Sequence, residues 1–399
     1  MKFLFCLYDA PWPIRGGQQL HTYNMIQGLV SLGHDVHLAA YGDIGSFPAQ
    51  KHIGWSVSRL CEDGALASEV ETKSLDRWTA ERWMRYWGTP LWVPSAIDKL
   101  IQELQPETVI VVGLQALPLA ALIRNVPAVW YVADDWVLHH LTLAGKGPLR
   151  DRIESLKGAA LSLCYERSLS SQVEGAIAVS KKDQKALRCV GGFQRVSLIR
   201  NGVDAEFFHP EQGKESQNPS ICFWGRMDFA PNVDAMLWFC CQIWPLLLNS
   251  FPDAVLTIAG ANPTSAVNEL GKIRNVIVTG EVDDVRPFAL HSQVVVLPMR
   301  TGGGIKNKLL EACAMGKPIV ASRTAVAGLQ AGNESSEPWI IARNREDWIN
   351  AIKLLWTNTE TRANFGNSAR NFVVEHHSWR QAAVRFVGFT SELRELNAK

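Results

Sequence analysis

The sequence lacks several features that would assign it at once to a common class of protein. Its eight cysteines form no Cys-x-x-Cys pair and no spacing typical of a metal site, so we interpret them as small core residues in a reducing compartment. No uninterrupted apolar run reaches about 18 residues, the length of a membrane-spanning helix. The nearest candidate, 235–248, contains Pro245. The net charge is only +1, so no strong field favours nucleic acid.

The beginning of the chain also lacks the pattern of a secretory signal. Its first eight residues are apolar, but Asp9 and Pro11 follow too soon for a leader peptide. We therefore expect a cytoplasmic protein. The sequence has 399 residues, 47% of them apolar, which is enough for two or three domains with large cores.

Short apolar runs recur between helical patterns and predict buried parallel strands. A first series covers 3–7, 36–40, 108–112, 128–132, 175–179 and 196–199. A second series covers 221–224, 254–258, 276–278, 294–297, 319–321 and 339–341. Because 209–219 is polar and rich in breakers, it indicates a linker between the two series.

This pattern predicts an α/β protein with two doubly wound, Rossmann-like domains that face a central cleft. We place the domains at 1–208 and 219–375, and expect a final helix in 376–399 to pack back towards the first domain. Ligands of such domains bind beyond the carboxyl ends of the parallel strands. Motifs that follow a strand are therefore the candidates for function.

The most informative motif follows the strand at 294–297 and reads Thr-Gly-Gly-Gly-Ile-Lys-Asn-Lys from Thr301 to Lys308. A glycine turn that leads into a helix presents backbone N–H groups beside a positive dipole end, which suits phosphate. Lys306 and Lys308 place cations in the same turn, where they are unfavourable without an anion. Glu311 lies one helical turn deeper, where a lone carboxylate requires a polar partner.

Six segments in the same order resemble the family-4 (group 1) retaining glycosyltransferases of GT-B fold, in the branch that builds polysaccharides. The matching segments are Ala178–Lys181, the Asn-Gly-Val-Asp motif at 201–204 with Phe208 and Pro210, the Gly-Arg turn at 225–226, Ile258–Gly260, Val278–Val282 and Leu310–Ser322. Each segment alone is weak evidence, but all six occur in the family's order, and the resemblance extends over nearly the full chain.

The resemblance implies a hexosyltransferase-type enzyme that moves a sugar from a UDP- or GDP-sugar to a hydroxyl of a glycan or lipid-linked acceptor, with retention, in exopolysaccharide synthesis. It implies no cofactor and no catalytic metal. Glu311 would accept hydrogen bonds from the ribose, Arg226 and a lysine at 306 or 308 would bind the diphosphate, and the backbone of Val282 would meet the nucleobase. Further donor contacts are implied for Gly16, Gly17, Gly303, Gly304, Ile305 and Asn307.

On the acceptor side, the loop after the strand at 128–132 carries Asp134, Asp135 and His139. The resemblance places a His or Asp of this loop near the transferred sugar or the acceptor. The alternative is a set of capping carboxylates. Arg226 has a plain alternative as well, a surface ion pair with Asp228, and His21 is better explained as a packed core residue.

Two departures from the family pattern concern the donor site. The family has two carboxylates spaced as Glu-x7-Glu, but here Gly303 stands at the first position and only Glu311 remains. The family also tends to have a lysine six residues after the arginine of the Gly-Arg turn, where this chain has Asn232. We expect Lys306 and Lys308 to replace the missing cation.

Residues 73–94 interleave tryptophans with arginines, a composition that suits a membrane interface. This predicts peripheral contact with the inner face of the cell membrane. The alternative is a helix of the acceptor-side domain whose tryptophans pack in the core or line the cleft. The apolar positions do not form one clean helical face, which counts against a simple amphipathic anchor. For the whole chain, the alternatives are a non-catalytic glycan-binding or scaffold protein and another GT-B enzyme, such as a nucleotide-sugar epimerase or a phosphorylase.

Overall fold

The computed structural model describes residues 1–12, 14, 17–42, 55–60, 75–123, 125–132, 136–145, 148–210, 215–302, 305–329 and 337–397. The chain forms two compact units: Met1–Arg200 with Trp379–Lys399, and Asn201–Ser378. The structure therefore divides the chain at residue 200, whereas the sequence placed the end of the first domain at 208. The Asn-Gly-Val-Asp motif at 201–204 lies in the second unit.

The first unit is built from alternating strands and helices. In chain order they are β1 (Lys2–Leu7), α1 (Gly17–Ser31), β2 (Asp35–Ala40), β3 (Trp55–Arg59), α2 (Leu75–Trp87), α3 (Val93–Leu104), β4 (Thr108–Val112), β5 (Ala128–Tyr131), α4 (Trp136–Ala144), α5 (Leu149–Leu169), β6 (Gly175–Ala178), α6 (Lys181–Ala186) and β7 (Val196–Leu198). The described strands form one parallel sheet in the order β3-β2-β1-β4-β5-β6-β7.

The second unit repeats this plan. Its elements are β8 (Ser220–Trp224), α7 (Ala230–Gln242), α8 (Trp244–Leu248), β9 (Val255–Ala259), α9 (Ser265–Leu270), β10 (Val276–Gly280), α10 (Arg286–His291), β11 (Val294–Leu297), α11 (Asn307–Ala314), β12 (Ile319–Ala321), α12 (Arg323–Val326), β13 (Ile340–Ile341), α13 (Arg345–Thr357) and α14 (Thr359–His376). Its described strands are also parallel, in the order β10-β9-β8-β11-β12-β13. The predicted fold class, two α/β domains with parallel sheets, is confirmed.

Both faces of the first sheet are covered, as β1 shows. Leu4 and Cys6 belong to one core cluster, whereas Phe3, Phe5 and Leu7 belong to a second. Because successive side chains of a strand point to opposite faces, this division places one core on each side of the sheet. A strand buried on both faces needs a continuous apolar run, which is the pattern that predicted it.

Free thiols contribute to these cores. Cys6, Cys222, Cys240 and Cys313 are buried, and burial raises the pKa of the Cys222 thiol to about 12. These cysteines pack as small apolar residues, as the sequence suggested. Cys164, Cys189 and Cys241 are exposed, so the core interpretation does not extend to them.

The last helix, α15 (Trp379–Asn397), belongs to the first unit. It packs along α1 so closely that a Cβ on Gly28 would lie 2.9 Å from the Cβ of Ala383. Phe386, which is fully buried, contacts the rings of Phe3 and Phe5 at centroid distances of 5.5 and 6.0 Å. The helix thus completes the core of a unit whose other residues end at Arg200.

Phe386→Ala tests this contribution. Because the ring is buried and surrounded by aromatic neighbours, its loss should lower the free energy of unfolding by about 3–5 kcal/mol. Urea unfolding followed by circular dichroism measures the change. Val384→Ala, on the exposed side of the same helix, is the matched control and should change stability by less than about 0.5 kcal/mol. Equal effects of the two substitutions would contradict the packing role.

Candidate active site

Three neighbouring strands of the second unit end in glycines with positive φ. The φ angles are 146° at Gly225, 142° at Gly260 and 73° at Gly280. The backbone N–H of Gly225 donates to Ala259 O, and that of Gly260 donates to Gly280 O, each at 3.0 Å. A Cβ on Gly260 would lie 1.9 Å from Gly225 O, so no other residue fits there. These turns leave open backbone at the carboxyl edge of the sheet, where ligands of such folds bind.

Glu311 lies at this edge, on α11, and its polar partner is Trp224. The indole Nε1 at the end of β8 donates to Glu311 Oε2 at 2.7 Å. Burial raises the pKa of the Glu311 carboxyl, while the Trp224 hydrogen bond and the nearby charge of Lys308 oppose that rise. The carboxylate is therefore oriented before any ligand arrives. The sequence did not single out Trp224, although an aromatic residue directly before a Gly-Arg turn was a visible signal.

Lys308 precedes Glu311 on the same helix and lies over Gly225. Its Nζ donates to Asn232 Oδ1 at 2.8 Å and lies 4.1 Å from the centroid of the Phe223 ring. The pKa of Lys308 is lowered to about 7, mainly by burial; the charge of Glu311 opposes this shift and that of Lys306 adds to it. Asn232, the residue that departs from the family pattern, thus contacts the lysine that was expected to compensate for it.

Lys306 immediately precedes α11 and extends towards the glycine turn. Gly302 has a φ of 105°, and a Cβ there would lie 2.9 Å from Lys306 Nζ. Two ammonium groups consequently lie beside two glycine turns, Lys306 at Gly302 and Lys308 at Gly225. Ile305, like Lys306, is half-buried. Gly303 and Gly304 lie outside the described residues, so the predicted backbone contacts there stay predictions.

Arg226 forms the surface ion pair with Asp228 that was the alternative to a donor contact. Its Nε and NH2 groups donate to the two carboxylate oxygens of Asp228 at 3.1 and 2.8 Å. This pairing lowers the pKa of Asp228 and raises that of Arg226. The arginine side chain is 57% exposed, so it retains access to a ligand at the end of β8. Val282, two residues after Gly280, is half-buried.

The start of α11 is held by the Asn-Gly-Val-Asp motif. Asn201 Nδ2 donates to Asn307 Oδ1 at 2.8 Å, and the His377 ring bonds Asn201 O at 2.9 Å. At the other end of the helix, Arg370 bonds the carbonyls of Ala314 and Phe208. The motif therefore anchors the helix that carries Lys308 and Glu311. Asn307 uses its side-chain oxygen for this support, and the donor contact expected for it stays a prediction.

Of the site residues predicted in the first unit, fewer lie within the described part of the chain than in the second unit. Gly17 begins α1, whereas Gly16, Asp134 and Asp135 lie outside the described residues. His139 is exposed on α4 beside Trp136, with ring centroids 5.2 Å apart, and partial burial lowers its pKa. His21 is buried, bonds Tyr131 and meets the Trp379 ring edge-on. This agrees with its interpretation as a packed residue.

The tryptophans of 73–94 divide between core and surface. On α2, Trp83 donates to Ser168 Oγ at 2.8 Å, and its ring centroid lies 4.9 Å from that of Tyr165. Trp87 packs against the same tyrosine, whereas Trp78 is 59% exposed. The packed-helix alternative therefore explains Trp83 and Trp87. Over the described part of the chain, no helix is both long and apolar enough to span a membrane.

Among the residues that the structure describes, no group of three or more His, Cys, Asp or Glu side chains is placed to hold a metal ion. The expectation of a metal-independent reaction stays a prediction. The described site instead combines the carboxylates of Glu311 and Asp228, three cations and glycine backbone.

Comparison with known sequences places this site in a family. The sequence model described as "Glycosyltransferase Family 4" matches residues 15–207, and that described as "Glycosyl transferases group 1" matches residues 218–358. The chain belongs to family 4 of the glycosyltransferases. The expected family is thereby confirmed, and the protein is a glycosyltransferase.

Known structures support the GT-B fold. Sucrose-phosphate synthase from Thermosynechococcus elongatus superposes with a TM-score of 0.71 at 15% identity, covering 100% of both chains. Anabaena HepE in complex with UDP and glucose gives 0.64 at 14% identity, over 97% of this chain and 99% of the other. WaaG, a glycosyltransferase involved in lipopolysaccharide biosynthesis, gives 0.63 at 14%, over 96% and 99%.

A curated sequence relative is an uncharacterized 44.6 kDa protein of the cps region of Klebsiella pneumoniae. It is 24% identical over 135 residues, which are 32% of this chain. The match spans about a third of the relative's own length, 34%.

The raised pKa of Glu311 predicts that its charge destabilises the fold. A carboxyl with a folded pKa above its unfolded value binds its proton more tightly when folded, so stability is lost as pH rises through the folded pKa. Glu311→Gln removes this loss and should raise the free energy of unfolding near pH 7.5. The gain should shrink as pH falls towards the ordinary range of a glutamate.

Urea unfolding between pH 5 and 8 measures this gain. Glu269→Gln is the matched control, because Glu269 is an exposed partner of Lys272 on α9 and should show no comparable trend. A Glu311→Gln enzyme that is less stable than the wild type throughout this range would contradict the prediction.

Proposed function

We propose that the enzyme transfers a sugar, with retention of anomeric configuration, from a nucleotide-sugar to a hydroxyl of a growing polysaccharide or lipid-linked glycan. The observation that carries this proposal is the joint placement of Glu311, Lys308 and Arg226 at the carboxyl end of β8. A carboxylate held by an indole suits the two hydroxyls of a ribose. Cations that lie beside a glycine turn, as Lys308 and Arg226 do at Gly225, suit a diphosphate.

In the proposed mechanism, the main task of these residues is to stabilise the departing nucleoside diphosphate. Lys308, Lys306 and Arg226 supply positive charge, and the start of α11 adds its dipole. Arg226 would exchange part of its bond with Asp228 for the donor. The N–H groups near Gly303 and Gly304 and the backbone of Val282 would complete the contacts with the donor. The proposed course is attack by the acceptor on the same face of the sugar, with the donor phosphate helping to take the acceptor's proton.

The acceptor side and the biological role are proposed on less direct grounds. Asp134 and His139 follow β5 in the sequence, and Gly17 follows β1, a strand of the same parallel sheet. In this proposal, Asp134 and His139 contact the acceptor or the transferred sugar. The cps-region relative and the lipopolysaccharide role of WaaG favour a glycan product. The UDP and glucose bound to HepE make UDP-sugars the first donors to test, with GDP-sugars next.

The proposal includes action in the cytoplasm, with contact at the inner face of the membrane through exposed residues of 73–94 such as Trp78. It also includes a reaction that needs no cofactor.

A thermal-shift screen identifies the donor. A nucleotide-sugar at 100 times its Kd should raise the free energy of unfolding by about 2.7 kcal/mol. UDP- and GDP-sugars that leave the unfolding temperature unchanged would argue against a donor of either class.

Release of nucleoside diphosphate from the donor so identified tests the residue roles. Glu311→Ala and Arg226→Ala should each lower release at least about tenfold, because each removes a charged hydrogen-bonding group from the donor. Glu269 on α9 and Lys272 just beyond its end form an exposed ion pair, so Glu269→Ala and Lys272→Ala are matched controls and should retain activity. Unchanged release by both site variants would overturn the proposed donor site, and product NMR would decide between retention and inversion.

A further inference from the structure

The environment of Lys308 goes beyond a cation near a phosphate site. Asn232 connects three parts of the second unit: its Oδ1 accepts from Lys308 Nζ and its Nδ2 donates to Arg226 O, both at 2.8 Å. The residue is only 5% exposed. Because both ends of the amide are engaged, its orientation is determined, with the oxygen directed at the ammonium group. The amide therefore holds the lysine in one place.

That place is the glycine turn after β8. A Cβ on residue 225 would lie 2.8 Å from Lys308 Nζ and 2.9 Å from Asn232 Nδ2. Only a glycine leaves room for the ammonium directly above the backbone of this turn. The face of the Phe223 ring, 4.1 Å from Nζ, closes another side. An anion that approaches the open backbone of Gly225 therefore meets this ammonium.

The charged groups that act on Lys308 are few. Within the described residues, Glu311 favours its protonated form and Lys306 disfavours it. The neighbouring elements β8 and α7 contribute the uncharged Phe223 and Asn232. Burial outweighs the attraction of Glu311, and the pKa of Lys308 falls to about 7. Near neutral pH, the amine is thus divided between its neutral and charged forms.

We propose that Asn232 is the positioning residue for Lys308, and that Lys308 takes up a proton when the diphosphate of a nucleotide binds beside Gly225. This inference rests on the proposed donor site and adds a property to it. The proton comes from solvent and is added to the neutral amine to give the ammonium, and no other bond is made or broken. A bound polyanion favours the charged form of a neighbouring amine, so binding and protonation are linked.

The proton uptake makes the affinity for the nucleotide depend on pH. Below the pKa of the unliganded lysine, the ammonium is already present and affinity does not change with pH. Above that pKa, each bound nucleotide adds up to one proton, so affinity falls by up to about tenfold for each further pH unit. The fall ends where the lysine of the complex itself loses its proton.

Isothermal titration calorimetry with UDP and GDP tests proton uptake. At pH 7.5 and 8.0, the binding enthalpy in Tris and in HEPES should differ in proportion to the ionisation enthalpies of the buffers. Lys308→Met should abolish this difference and weaken binding about 10- to 100-fold. Uridine and guanosine, which lack the diphosphate, should show no uptake. A buffer dependence that survives in Lys308→Met would overturn the inference.

The two residues can also be exchanged. Lys308→Asn alone should weaken binding of the same nucleotide, and adding Asn232→Lys should recover most of it, because the two side-chain ends meet at one point. Asn232→Asp should instead keep the lysine protonated before binding, reducing uptake at pH 7.5. Failure of the exchanged pair to recover affinity, with folding verified by thermal unfolding, would contradict the positioning role.

The outcomes separate this inference from the proposed function. Nucleotide binding without proton uptake would overturn only the inference. If neither UDP nor GDP binds at any pH, the proposed donor site and the inference fail together.

Discussion

Two polar contacts on which the candidate site depends connect α11 to the carboxyl end of β8 and to Asn232 on α7. Trp224 donates to Glu311, and Lys308 donates to Asn232 beside Gly225. Both contacts hold ionisable groups in surroundings that oppose their charges. The arrangement therefore lowers the stability of the fold, and a ligand that interacts with these charges would offset that loss. Such opposed pKa shifts at the ligand-binding edge of a sheet are typical of a functional site.

The supporting contacts explain why distant motifs occur together. Asn201 bonds Asn307 at the start of α11, while Arg370 on α14 bonds Ala314 at its end. The helix that carries Lys308 and Glu311 is thus held at both ends by residues far away in sequence. The Asn-Gly-Val-Asp motif, which the sequence alone marks only as a family feature, has a physical role in this support.

Most strands were predictable because a strand of a covered parallel sheet must be apolar on both faces. Strand β3 was missed, since Trp55–Arg59 reads Trp-Ser-Val-Ser-Arg and lies at the sheet edge, where fewer apolar residues are needed. The end of the first domain was placed at 208 because the polar stretch at 209–219 was the clearest break. The structure divides the units at residue 200. Residues 201–208 belong to the second unit because Asn201 bonds Asn307 on α11 and Phe208 accepts a hydrogen bond from Arg370 on α14.

The sequence by itself determined the fold class, the family and the main donor-site candidates, because these depend on local patterns: apolar runs, glycine turns and the order of short motifs. It also showed that a lysine was missing at 232. Only the tertiary structure decided where the Lys308 ammonium lies, since Asn232 and Lys308 belong to different helices and meet above Gly225. It likewise decided that Trp224 bonds Glu311 and that Trp83 packs against the core of the first unit. Contacts between side chains far apart in sequence leave no periodic signal, so folding alone brings them together.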